Sequence, residues 1–222
     1  MSEFFNIHNN FFVVAGQGIS YLEFLAVLFG LSSVFLASMA KSITFWLSIV
    51  YAVLLFMMYV QKNLYTNMLL QPVLLGLCVY GLIKWTRPKE GQGNASNQLK
   101  ITFLTNKQRI TYGAILVAFI VGWGFFLTKL PALSDVFPPA RSPFIDASVA
   151  GLLLLSQTLS AQKKWECWVV FIVLNILNVV MYAGAGLVFM PIVAVIYLAF
   201  NVIGIVHWRK EWRKQEAESG DK

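Results

Sequence analysis

The stretch WVVFIVLNILNVVMY, Trp168 to Tyr182, is apolar enough to lie in a lipid bilayer, yet it holds two asparagines and ends in a tyrosine. Crossing a hydrocarbon core of roughly 30 Å takes about 20 mostly apolar residues in a helix. Working outward, the chain offers seven such stretches: Tyr21–Met39, Ile43–Val60, Met68–Trp85, Ile110–Leu127, Ile145–Ala161, Glu166–Tyr182 and Leu187–Trp208. Composition agrees, with 58% of residues hydrophobic and only 12% charged, where a soluble domain carries about a quarter charged. The predicted fold class is an all-α integral membrane protein with seven transmembrane helices.

Residues 1–20 lack a basic start followed by an apolar run and a cleavage site, so no cleavable signal is expected. Their FFNIHNNFFVV reads as an interfacial segment lying along the membrane surface. Cys78 and Cys167 fall within or at the edge of spans, and His8 and His207 stand alone, which supports neither a disulfide framework nor a metal site. No cofactor is expected. The net charge of +7 would suit a nucleic-acid partner, but the placement of the basic residues argues otherwise. Lys41, Lys84, Arg87, Lys89, Lys100, Lys107, Arg109, Lys163, Lys164, Arg209, Lys210, Arg213, Lys214 and Lys222 fall on one side of the predicted membrane. Lys62, Lys129 and Arg141 fall on the other. By the positive-inside rule the N-terminus is expected outside and the C-terminus in the cytoplasm.

The two ends of the chain resemble each other. Trp46 and Trp85 stand 39 residues apart, Trp168 and Trp208 stand 40 apart, and each pair brackets two spans. Glu23 precedes Trp46 by 23 residues and Asp146 precedes Trp168 by 22, while Lys41 and Lys163 each lie five residues before their tryptophan. These landmarks suggest a duplicated three-helix unit, 21–85 and 145–208. A three-helix unit ends on the side opposite its start, so a second copy in the same orientation needs one extra crossing. The span in 110–129, with GWGFF and no polar face, fits that linker role, giving a 3+1+3 arrangement of parallel repeats. The connection 86–109 contains KEGQGNASNQ and reads as a flexible cytoplasmic linker. Pro131, Pro138, Pro139 and Pro143 make 130–144 an irregular outer loop, and 209–222 is a basic cytoplasmic tail.

Asn175, Asn178 and Tyr182 are spaced three and then four apart, which puts them on one helical face with Trp168 a heptad before Asn175. Gln71 lies in the third span, Tyr51 and Tyr59 in the second, and Tyr197 and Asn201, four apart, in the seventh. An unpaired amide in hydrocarbon costs several kcal/mol, so these side chains must face protein, water or a ligand. Two readings stand side by side: amides that tie helices together, worth under ~2 kcal/mol per contact, or a cavity lined by amides and rings. Amides on three helices drawn from both repeats favour the cavity. Amides read donor and acceptor patterns and sugar hydroxyls, and flat rings stack on flat rings and attract delocalised cations. A heteroaromatic metabolite joined to a sugar fits best. Ion-coupled pumps hold ionisable residues deep in the membrane, and their scarcity here favours facilitated diffusion. No nucleophile with a base, carboxylate pair or ligand cluster points to an enzyme.

In LASMAK (36–41), LYTNMLLQ (64–71) followed by YGLIKW (80–85), PFID (143–146) and the spacing of Trp168, Asn175 and Trp208, the chain resembles the PnuC family of vitamin transporters. The resemblance implies a homotrimer in the bacterial inner membrane that carries nicotinamide riboside down its gradient, while a cytosolic kinase traps it by phosphorylation. It points to Gln71, Trp168 and Asn175 as leading binding residues. Tyr51, Asn178, Tyr182, Tyr197 and Asn201 rest on the helical-face argument. The chain departs from the family pattern at Tyr51 and Cys78, where Asn is usual, and at Leu82 and Phe171, where Trp is usual. Thiamine, riboflavin or another nucleoside-like vitamin, and a sugar carried by a SWEET-like uniporter of similar plan, remain alternatives. A non-transporting scaffold or receptor, whose amides only join helices, is the alternative of a different class.

Overall fold

A computed structural model describes residues 6–7, 9–14, 16–61, 65–93, 98–132, 142–184, 186 and 188–220. Its first elements are strands, β1 (Asn10–Val14) and β2 (Gln17–Ser20), paired antiparallel with a register shift between Asn10 and Phe12. Gly16 turns the chain at a φ of 80°, a conformation glycine adopts without a Cβ penalty. Part of the segment read as lying along the membrane thus folds as a hairpin, an addition to the all-α expectation. It packs onto the bundle: Phe12 meets Phe189 edge-on at 6.2 Å between ring centroids, and Ile7 N donates to Gln61 Oε1 at 3.1 Å.

Seven helices follow: α1 (Tyr21–Ser38), α2 (Thr44–Gln61), α3 (Tyr65–Thr86), α4 (Asn106–Lys129), α5 (Pro143–Ala161), α6 (Cys167–Gly184) and α7 (Phe189–Gly220). All seven are long and apolar enough to cross a membrane. The start of α1 is set by a capping box. Ser20 Oγ accepts from Glu23 N at 3.2 Å and Glu23 Oε2 accepts from Ser20 N at 3.0 Å, so two otherwise orphaned donors are satisfied. Thr105 and Gln108 repeat the device at α4, moving its start four residues ahead of the predicted Ile110. Pro143 stands in the first turn of α5, where its missing N–H costs nothing. The segment read as a basic tail continues α7 to Gly220, because its Lys, Arg, Glu and Gln are good helix formers and Glu211 pairs with Lys214 at 2.7 Å. A short 3-10 turn (Leu130–Ala132) closes α4. Most of the predicted outer loop, including Pro138, Pro139 and Arg141, lies outside the described residues, as do His8, Lys62, Leu187 and Lys222.

The principal contacts run α1 to α2 to α3, then α3 to α5 to α6 to α7, and from α7 back to α1. Six helices therefore close a ring. Helix α4 stands outside it against α5, where Gly124 makes room for the ring of Phe144, and Gly151 for Leu116 and Phe119.

At the end of the ring nearest the connection 87–105, hereafter the linker end, α1 and α5 stop in the same way. Ala40 and Lys163 take φ of 56° and 55°. Lys41 N returns to Leu36 O at 3.0 Å and Lys164 N to Leu159 O at 2.9 Å, the bond pattern of a left-handed helix cap. Five residues beyond each cap sits a buried ring, Phe45 or Trp168, which meets Trp85 or Trp208 edge-on at 5.0 Å and 5.3 Å. Phe45 faces Gly81 and Trp168 faces Gly204, both positions where a Cβ would strike the ring. The counterpart of Trp168 is thus Phe45 rather than Trp46, which points outward at 60% exposure. By the same register Lys41 matches Lys164, one residue on from the predicted Lys163.

The second half of the connection is not slack. Leu99, Ile101 and Leu104 are buried in one cluster with Trp85, Trp168 and Trp208. Leu99 N donates to Trp85 O, Thr102 N to Lys163 O, and Trp165 N to Thr102 O. Leu104 N meets both carboxylate oxygens of Glu166 at 3.0 and 3.1 Å. Residues 98–105 form a strap across the linker end, contrary to the expected flexible linker, because three apolar side chains gain burial and the backbone gains partners.

Candidate functional site

Each residue of an α-helix advances about 1.5 Å, so depth from the layer of Trp85, Trp168 and Trp208 can be read along the chain. Asn175 and Asn201, each seven residues away, lie roughly 10 Å in. Asn178 lies roughly 15 Å in, and Tyr182 and Gln71, each fourteen residues away, roughly 21 Å. The eight predicted residues therefore form a track along the ring rather than one point. Trp168 belongs to the layer that closes its linker end.

Burial agrees with the inward direction expected from spacing. Gln71, Asn175 and Asn201 are all buried, Asn201 at 1% exposure. Their partners are informative. Asn175 Nδ2 donates to Phe171 O, four residues earlier on α6, at 2.9 Å. Five buried side-chain atoms find no hydrogen-bond partner among the described residues: Gln71 Oε1, Trp168 Nε1, Asn178 Oδ1, and both Oδ1 and Nδ2 of Asn201. All belong to residues selected from the sequence. A buried polar atom left unpaired costs about 1–3 kcal/mol.

Three tyrosines meet across the ring. The hydroxyls of Tyr51 on α2 and Tyr197 on α7 are hydrogen-bonded to each other, and Tyr182 on α6 lies close enough to act electrostatically on both. The backbone of α1 makes room for them: a Cβ at Gly30 would strike Tyr197 Oη and stand 3.1 Å from the Tyr51 ring. Sequence reasoning missed Gly30, although a glycine inside an apolar helix marks a close approach. It also missed the strap, and it read Lys163 only as a repeat landmark and a basic-side charge, whereas its ammonium lies over the Trp85 ring at 4.5 Å and the residue is buried. Two clefts at the linker end do not include the predicted residues. One of about 320 Å³ lies between the strap and the far end of α7, and one of about 250 Å³ between the strap, the end of α3 and the α5–α6 turn. Among the described residues no three His, Cys, Asp or Glu side chains gather as metal ligands would.

A ring of membrane-length helices carrying buried, unpartnered amides is a construction that suits a membrane transporter. The model of the family described as nicotinamide mononucleotide transporter matches residues 20–210, and the chain belongs to that family. The nicotinamide riboside transporter PnuC of Escherichia coli (strain K12) is 24% identical over 234 residues, covering 96% of this chain and 97% of that protein. The protein of the same name from Shigella flexneri matches with the same identity and coverage. Among solved structures, the crystal structure of the vitamin B3 transporter PnuC superposes with a TM-score of 0.70 at 20% identity, over 88% of this chain and 83% of that one. That likeness establishes the shared fold.

Proposed function

We propose that this chain carries nicotinamide riboside into the cytoplasm by facilitated diffusion, and that a cytosolic kinase then traps it by phosphorylation. The observation that carries the reading is the set of unpartnered buried amide atoms of Gln71, Asn178 and Asn201, on helices from both ends of the chain. Carboxamide and ribose groups of such a solute offer complementary donors and acceptors. Family membership and the two riboside-transporting relatives support the substrate class. Tyr51, Tyr182 and Tyr197 supply ring faces for a pyridinium, and Trp168 and Asn175 complete the track toward the linker end.

The arrangement proposed is 3+1+3, with α1–α3 and α5–α7 as parallel repeats and α4 as the linker helix. It is supported by the paired caps at Ala40 and Lys163 and by the matched rings Phe45 with Trp85 and Trp168 with Trp208. The α1–α7 packing matches the α5–α3 packing in the same sense. Alternating access by rocking of the two units follows for repeats of this kind. The charge asymmetry supports the N-terminus outside and the linker end at the cytoplasm of a bacterial inner membrane. A homotrimer is proposed on the family resemblance.

Uptake of labelled nicotinamide riboside into proteoliposomes tests the function, with thiamine, riboflavin and glucose as competitors. Saturable riboside flux, blocked by excess riboside and lost in Gln71→Ala and Asn201→Ala, is the expected result. Flux of another solute with none of the riboside would overturn the substrate, and no flux of any would overturn the class.

A further inference from the structure

The 250 Å³ cleft beneath the strap is lined by Lys84, Lys100 and Lys164 together with Gln92, Thr102 and Gln162, plus Gly91 and Leu99, and not one of these residues is acidic. Its walls come from four parts of the chain: the last turn of α3, Gly91 and Gln92 in the connection beyond it, the strap, and the α5–α6 turn. Like charges gathered in one concave, partly desolvated site repel, and a cleft lined by one sign of charge concentrates the opposite ion. Glu166, the carboxylate that acts on Lys164, is already engaged, since it accepts from Leu104 N and from Arg109 Nη2 at 3.0 Å. Gln162 Oε1 accepts from Tyr112 Oη at 3.1 Å, which leaves its NH2 as the free end of that amide. Lys84 Nζ rests on Tyr80 Oη at 3.0 Å and Lys164 Nζ on Phe103 O at 3.3 Å. Each of these partners holds one ammonium proton and leaves the others. The polar part of the wall thus brings together three lysines, two glutamines and a threonine, set in a largely apolar surface.

From this we infer that the cleft is a binding site for a phosphate-bearing anion, which would cross-link α3, the strap and the α5–α6 turn at the linker end. A phosphate is the chemistry that uses several convergent cationic donors at once. The volume far exceeds the roughly 10–15 Å³ of probe volume that one water needs, so the site admits a phosphate together with part of the group that carries it. Burial pulls Lys164 below its ordinary pKa, with Glu166 opposing the shift and Lys84 adding a smaller push in the same direction as burial. Bound there, the anion would hold the strap against both halves of the ring and favour closure of that end. The site stands on its own lining and does not depend on which solute the track carries.

Two sources offer this chemistry, a soluble phosphoester and the headgroup of an anionic lipid. The full-length protein in neutral detergent is titrated with sodium pyrophosphate and with adenosine monophosphate, against sodium chloride at matched ionic strength, and the thermal midpoint is followed. A second arm compares nanodiscs of phosphatidylcholine with and without phosphatidylglycerol. Each arm is repeated with Lys100→Gln and Lys164→Gln, which lie on different elements, and with the exposed Lys107→Gln as control. A saturable rise with pyrophosphate or the nucleotide, whose affinity drops about tenfold in either cleft variant and not in the control, supports the soluble source. A rise confined to phosphatidylglycerol, with the same dependence, supports the lipid. A rise that chloride reproduces, or one that Lys100→Gln and Lys164→Gln leave unchanged, overturns the site. Because binding is read without flux, this result is separable from the riboside assay.

Discussion

Trp208 on α7 donates its indole N–H to the carbonyl of Ala37 on α1 at 3.0 Å, across 171 residues of chain. Trp85 on α3 makes the matching bond to Ser160 on α5 at 3.2 Å. Both pairs keep one offset of 123 residues (85 to 208, 37 to 160), and the two indoles face each other at 5.7 Å. Each half of the ring therefore clasps the other through an equivalent bond. Trp85→Phe and Trp208→Phe should lower stability by similar amounts, about 1–3 kcal/mol each, since either leaves a carbonyl orphaned and an aromatic core thinned. Chemical denaturation in detergent measures both. A large cost for one and none for the other would break the equivalence.

Asn201 is the most costly residue of the track to keep, with both amide atoms unpartnered. Replacing it by leucine of similar shape should stabilise the ligand-free protein by about 1–3 kcal/mol while weakening riboside binding at least about tenfold. Thermal midpoints without ligand and ligand titrations read the two effects. Stability and affinity moving in the same direction would remove Asn201 from the track.

Gly30 is fixed by the tyrosines that crowd it. Gly30→Ala should cost about 1–3 kcal/mol through overpacking, and Tyr197→Phe in the same chain should return part of it by removing the hydroxyl that the new methyl meets. The double-mutant cycle is the measurement.

Lys163 predicts a pH dependence. Burial pulls its ammonium from an ordinary pKa of 10.5 down to about 8, with Glu211 partly opposing the shift. Between those values the unfolded chain holds a proton that the folded one has released, so stability should rise as pH increases from about 8 to about 10.5 and owe nothing to this group's titration below that window. Lys163→Met should flatten the rise. Denaturation midpoints at pH 7 and pH 10 for both proteins check it.

Glu166 anchors the strap. Glu166→Gln weakens the charge-assisted bonds to Leu104 N and Arg109, and amide exchange at Leu104 should quicken about tenfold.

Much of this was legible in the sequence because the spans declare themselves locally: a helix in lipid must satisfy its own backbone, so length and apolarity suffice to find it. The inward face of α6 was equally readable, since the spacing of Asn175, Asn178 and Tyr182 fixes a direction whatever surrounds it. Spacing alone could not decide between Phe45 and Trp46, two adjacent rings of which only the fold buries one. The strap escaped notice because its apolar residues are few and lie within a polar run. Yet Leu99, Ile101 and Phe103 do alternate, the period of an extended segment with one covered side. Its burial depends in large part on Trp168 and Trp208, more than 60 residues away, which no local window sees.

Helix α4 rides on α5 alone among the ring helices it chiefly touches, and much of its outer surface, Ile115 and Val117 included, is turned away from the bundle. It behaves as an outrigger bolted to one hull. A spectroscopic label fixed at Val117, paired with one at Val53 on the outer face of α2, would test whether the two halves tilt against each other as proposed, while every side chain of the proposed track stays native.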